Sequence, residues 1–207
     1  MIAAVLVLCL ARGACWSAAH TSLSLYIEHR CAVSVDPKNI DVTLDLVFYV
    51  PRARAELERI DFNRDGSLSA SEIEAYLARV EREADARLRL TAAGRDLPLF
   101  LLYEPRLAME GRRVDARTPV TLRLSLFART PPWLKPGDEV AVHDSLWLEE
   151  PGIHSFRAEG RGGLHVVAVP GNSPLHPGRA GGPARVSRLR CMAVPRARPD
   201  GAPASKE

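Results

Sequence analysis

Twelve consecutive residues, Asp61 to Glu72, constrain this chain more than any others. They read DFNRDGSLSASE. Oxygen-bearing side chains stand at the first, third, fifth, ninth and twelfth positions (Asp61, Asn63, Asp65, Ser69 and Glu72), with Gly66 sixth and Leu68 eighth. A hard cation such as calcium takes six to eight oxygens at roughly 2.3–2.6 Å. A loop tight enough to supply them bends sharply at its sixth residue, where a glycine has no Cβ to clash. Without a cation, the same residues would make a polar turn ending in a helix N-cap.

The flanks carry helical spacing. Leu57 and Ile60 precede the loop, and Ile73, Tyr76, Leu77 and Val80 follow it as one apolar stripe. Arg79/Glu83 and Glu83/Arg87 are spaced to meet on the opposite surface. The loop matches D-x-[DN]-x-[DN]-G-x₅-E without a mismatch, and with its helical flanks the segment resembles the EF-hand family. The resemblance implies that Asp61, Asn63 and Asp65 each give a side-chain oxygen to Ca2+. Ser67 would give its backbone carbonyl, Ser69 would act directly or through water, and Glu72 would bind with both oxygens. Ser69 and Glu72 also form an S-x-x-E capping box. Glu72 cannot cap the second helix and chelate with both oxygens at once, so the two roles compete for it.

The first residues, MIAAVLVLCLARGACWSAAH, are apolar from Ile2 to Ala11 and small at Ser17-Ala18-Ala19. That is a signal-peptide pattern over residues 1–19, implying an exported protein, periplasmic or extracellular. Arg12 interrupts the run well short of the ~20 apolar residues of a membrane span. Cys9 and Cys15 would leave with the signal. Cys31 and Cys191 remain, and an oxidising compartment favours their pairing. Such a disulfide would stabilise by about 4–5 kcal/mol in the chain-entropy model. The alternative is two free thiols.

Around the loop the pattern is alternating strands. Ser22–Cys31 and Ile40–Val50 flank a turn at Asp36–Asn39, with Ile27 and then Ile40, Val42, Leu44 and Leu46 on the inner faces. Pro51 suits the first turn of the helix that follows. Arg87–Thr91 and Leu97–Leu102 read as a second hairpin. Thr118–Arg129, Glu139–Leu148 and Gly163–Pro170 read as further strands, with a turn at Pro151-Gly152. The expected fold is mainly β (α+β): an antiparallel β-sandwich over residues 20–170 with an EF-hand helix-loop-helix inserted at 51–88. Residues 171–207 are rich in Gly, Pro and Arg, with seven basic residues against two acidic. They read as a basic, mostly disordered tail that could touch anionic surfaces, with Val186–Val194 adding a strand if Cys191 is tied down.

Other chemistry is sparse. No second loop of this type begins at Asp36, Asp115 or Asp138, so the hand is single. His143, Asp144 and Ser145 are adjacent, but in a strand Asp144 points away from the other two and no triad forms among them. There is no G-x-S-x-G, phosphate-binding glycine loop or H-E-x-x-H, and no enzyme activity or nucleic-acid partner is expected. His29, His143, His154 and His165 read as surface or core residues. Cleavage after Ala19 would leave His20 as an N-terminus able to bind copper or nickel. The layout of signal, paired strands, D-x-N-x-D-G segment, the helix EIEAYLARVEREADARLRL and later hairpins is similar to the extracytoplasmic domain of bacterial nickel/cobalt-transporter-type proteins, over residues 21–170. That resemblance implies a module acting beside an envelope membrane-protein partner. The leading reading is an exported calcium-binding module; the alternative is a periplasmic accessory protein for nickel/cobalt or copper transport.

Overall fold

The computed structural model describes residues 27–115, 117–148, 150, 152–169 and 185–192. The signal segment, His20, the start of the first expected strand and the remainder of the basic tail lie outside the described residues. Among the described residues the fold is mainly β, with two helices and two sheets.

β1 (Ile27–Val35) and β2 (Asn39–Phe48) form the expected hairpin. Their turn closes as Asp36 Oδ1 accepts from the N–H groups of Lys38 at 2.6 Å and Asn39 at 2.8 Å. Two helices follow, α1 (Val50–Ile60) and α2 (Ala70–Arg87), then β3 (Leu88–Ala92), β4 (Arg95–Leu97), β5 (Phe100–Ala108) and β6 (Val120–Arg129). β7 (Glu139–Asp144), β8 (Gly152–Gly160), β9 (His165–Val169) and β10 (Arg185–Met192) complete the set. The first sheet runs β5-β6-β2-β1-β8 and the second β4-β3-β7-β10-β9.

Period-two alternation placed the core correctly. Ile40, Val42, Leu44 and Leu46 on β2 are buried, as are Val120, Leu122, Leu124 and Leu126 on β6. They share one cluster with Leu90, Val140, Val142 and Leu189 of the second sheet and with Leu57, Ile60, Tyr76 and Val80 of the helices. At about 25 cal/mol per Å² of apolar surface removed from water, a cluster drawing on every layer is what holds the sheets and helices together.

Four expectations are corrected. The sheets are not wholly antiparallel: β8 runs parallel to β1 over nine residues, from Ile27↔Gly152 to Val35↔Gly160. The chain leaves β7 in one sheet and enters the other beside β1, and a strand that changes sheets need not reverse direction. The stretch Leu97–Leu102 is not one strand. β3 and β4 form a tight hairpin through Ala93 (φ 46°) and Gly94 (φ 75°), a two-residue turn with both central residues left-handed. Pro98, which has no N–H for a ladder, then marks where the chain passes to β5 in the other sheet. The ordered body does not end at Pro170: β10 lies between β7 and β9. The expected Cys31–Cys191 disulfide is absent and both thiols are free and buried. Cys31 hydrogen-bonds Ser187, which lies four residues before Cys191 on β10. At about 3.3 Å per strand residue that separation exceeds what a disulfide spans.

Candidate metal centre

Pro51 stands in the first turn of α1, whose buried face is Ala53, Glu56, Leu57 and Ile60. The buried face of α2 is Glu72, Tyr76, Val80 and Ala84, with Ile73 and Leu77 packed at its margin. Glu56, buried on α1, accepts from Tyr76 Oη at 3.0 Å and pairs with Arg59 at 3.1 Å; Arg52 reaches Glu150 at 2.8 Å. Burial, with the Glu56 charge beside it, pushes the Tyr76 phenol well above its usual range. Of the predicted surface pairs, Arg79–Glu83 is formed at 3.9 Å. These contacts lock the helices on either side of the segment 61–69.

That segment is folded around its own oxygens. Asp61, 5% exposed, takes the N–H of Asp65 on one oxygen at 3.2 Å and that of Gly66 on the other at 2.9 Å. Asn63 Oδ1 accepts from Asp65 N–H at 2.9 Å, and Asp65 Oδ1 from Ser67 N–H at 2.8 Å. Gly66 is left-handed (φ 79°), the conformation the sixth position was expected to need. Arg64 is also left-handed (φ 59°) and its side chain is exposed. Glu72 folds back from α2. Its Oε2 accepts from Ser69 Oγ at 2.7 Å and Ser69 N–H at 2.8 Å, and its Oε1 from Asn63 N–H at 3.4 Å. Ser69 Oγ in turn accepts from Glu72 N–H at 3.2 Å, so the predicted capping box is formed. The Ser69 hydroxyl, then its N–H, holds the Glu72 carboxyl below the usual carboxylate range.

The far side of the loop is docked on main chain. Leu68 N–H donates to Arg112 O at 2.7 Å, Val114 N–H to Gly66 O at 3.3 Å, and Ser67 bridges Arg113 in antiparallel register. Leu68 is buried and Val114 packs against the core. The connection between β5 and β6 thus meets the loop through one isolated β-bridge flanked by two main-chain hydrogen bonds at Arg112 and Val114.

Among the described residues, no three His, Cys, Asp or Glu side chains are grouped closely enough to hold a metal ion. The loop carboxylates of Asp61, Asp65 and Glu72 are turned onto N–H and O–H groups instead. The donor set still suits calcium: every polar donor is an oxygen, three are carboxylates, and Asn63 and the Ser67 carbonyl add neutral ones. The structure gathers Asp61, Asn63, Asp65 and Glu72 into one hydrogen-bonded network, and Ser67 enters it through its N–H.

A second polar cluster escaped the sequence reading. His29 on β1, fully buried, bonds through Nδ1 to Asp144 Oδ2 on β7 at 2.5 Å, and Asp144 Oδ1 accepts from Leu146 N–H at 2.9 Å. His29 Nε2 has no hydrogen-bond partner among the described residues. Beside it, Ser187 on β10 meets His154 Nε2 on β8 at 2.5 Å and the Cys31 thiol. Burial pushes that thiol up to about 12. The His29–Asp144, His154–Ser187 and Cys31–Ser187 bonds each join one sheet to the other. A signal was present: His29 and Cys31 share the parity of Ile27, which marks them as inward. Asp144 does point away from His143, as expected, and what it meets is His29. No helix among the described residues is long and apolar enough to cross a membrane. No family model matches the chain, and no curated protein and no solved structure matches it either.

Proposed function

We propose that this is an exported calcium-binding protein, in which a single EF-hand (α1, the loop Asp61–Glu72 and α2) is fixed to a β-sandwich made of the two sheets. Calcium is held by side-chain oxygens of Asp61, Asn63 and Asp65, the main-chain carbonyl of Ser67, and Glu72. The observation that carries this reading is the self-wrapped loop, in which a buried Asp61 gathers the amides of Asp65 and Gly66 while Glu72 returns to Asn63. The motif explains why carboxylates of like charge are brought onto one short segment at all. Chelation by both oxygens of Glu72 requires that carboxylate to release Ser69, so metal binding and helix capping are alternatives.

The role is a structural clamp. The loop is anchored to the β5–β6 connection and its helices are pinned by the Glu56 network, which leaves little freedom for the opening that a sensor needs. A Kd of about 10⁻⁴–10⁻³ M, the range of extracellular modules, is expected. Calorimetric titration of the chain from His20 onward tests it. Heat saturating with one ion per chain and a rise in melting temperature at millimolar calcium are expected. No heat and no shift would sink the reading.

A further inference from the structure

The β5–β6 connection does more than cover the loop. A trans peptide is planar, so its C=O and N–H point in opposite directions. The peptide joining Gly66 to Ser67 sends its carbonyl to Val114 N–H, and its N–H points back into the loop, to Asp65 Oδ1 at 2.8 Å. The next peptide, Ser67 to Leu68, sends its N–H to Arg112 O at 2.7 Å. The Ser67 carbonyl therefore points away from the 112–114 segment, to the side where the Asp65 carboxylate lies. Both peptides flanking Ser67 are set by two main-chain bonds from outside the helix-loop-helix. Within the motif, the Asp65 carboxylate holds the first of these peptides by its N–H.

We propose that Arg112–Val114 is the positioning segment of the calcium loop. Through the Arg112 carbonyl and the Val114 N–H it aims the Ser67 carbonyl at the ion, so docking of this segment and calcium affinity are thermodynamically linked. The inference rests on the calcium reading above. Linkage is reciprocal: whatever factor docking adds to calcium affinity, calcium adds to docking. The segment acts by main chain, so the side chains of Arg112 and Arg113 are free to remain exposed, as they are.

Val114→Pro removes the donor to Gly66 O, whereas Val114→Ala keeps it and loses only side-chain packing. By calorimetry, Val114→Pro is expected to bind calcium about tenfold more weakly than Val114→Ala, a coupling in the usual range for linked sites. Equal affinities with equal melting temperatures would overturn the proposal. Should Val114→Pro fail to fold, amide hydrogen exchange of the unaltered protein decides. Saturating calcium is expected to slow Leu68 and Val114 N–H about tenfold relative to the Val142 N–H of β7. Calcium heat with unchanged exchange at those two amides overturns the positioning role and leaves the calcium reading standing. Absence of calcium heat in the unaltered protein overturns both.

Discussion

The loop at Asp61–Glu72 and the seam joining His29 to Asp144 are both clusters of polar groups, and they are satisfied in opposite ways. In the loop, carboxylates and amides close on one another within twelve residues, and several of the side chains are exposed. In the seam, the partners are 115 residues apart and both are buried. Satisfying a polar group locally uses backbone N–H groups that the turn would otherwise leave to water. Satisfying one in the core needs a partner from another element, because water is not at hand. The difference predicts where damage spreads: a lesion in the loop should cost metal and little else, and one in the seam should cost the fold.

The largest expected effect follows from the seam. Asp144→Ala takes the carboxylate away from the buried His29 ring, and stranding one partner of a buried hydrogen bond costs about 1–3 kcal/mol. Denaturant unfolding reads this. The double variant His29→Leu/Asp144→Leu should recover part of the loss, since it no longer leaves the imidazole facing an apolar side chain, although the Leu146 N–H still loses the Asp144 oxygen. If Asp144→Ala unfolds at the parent's midpoint, the seam adds nothing to the apolar cluster that holds the sheets together.

A smaller effect belongs to the loop. Ser69→Ala removes the cap of α2 and should lower stability by about 1 kcal/mol. Its partner carboxyl, Glu72, is held below its ordinary value in the folded protein. The stabilisation from that hydrogen bond is therefore complete above an unfolded carboxyl value of about 4.3 and disappears as the pH falls through the lower folded value. Melting curves of parent and variant should stand furthest apart at pH 7 and draw closer at pH values well below 4, where only the Glu72 N–H to Ser69 Oγ bond of the cap persists. A gap that does not narrow would mean that the Glu72 charge contributes nothing to the cap.

The smallest effect leaves stability untouched. Burial raises the Cys31 thiol to about 12 and the Cys191 thiol in the same direction. Native protein at pH 8 should take up a thiol alkylator slowly at both positions, because the thiolate is the reactive form. Unfolded protein should take it up at both without prior reduction, as mass spectrometry of the two peptides would read. A requirement for reductant would restore the disulfide.

What could be read beforehand follows the same division. The loop was legible because its chemistry is written in adjacent residues; capping box, left-handed glycine and flanking stripes all stand where spacing put them. The inner faces of β2 and β6 were legible for the same reason, since alternation is local. The pairing of β8 with β1 was not, because parallel and antiparallel neighbours present the same alternation. The His29–Asp144 contact was only half legible: parity marks each residue as inward, but no local rule matches them. The segment that docks on Ser67 was invisible, because main-chain bonds carry no side-chain signature.

The position of β10 bears on how this molecule is made. It is hydrogen-bonded on both sides, to β7 and to β9, yet it follows them in the chain. A nascent chain that has emerged as far as Val169 presents the ladder edges of β7 and β9 with nothing between them. Open edges of this kind are templates for pairing with other chains. The second sheet is therefore completed only by a strand that follows both of its neighbours in the chain, and removal of Arg185–Met192 would leave the edge of β7 unpaired and β9 without its sheet partner.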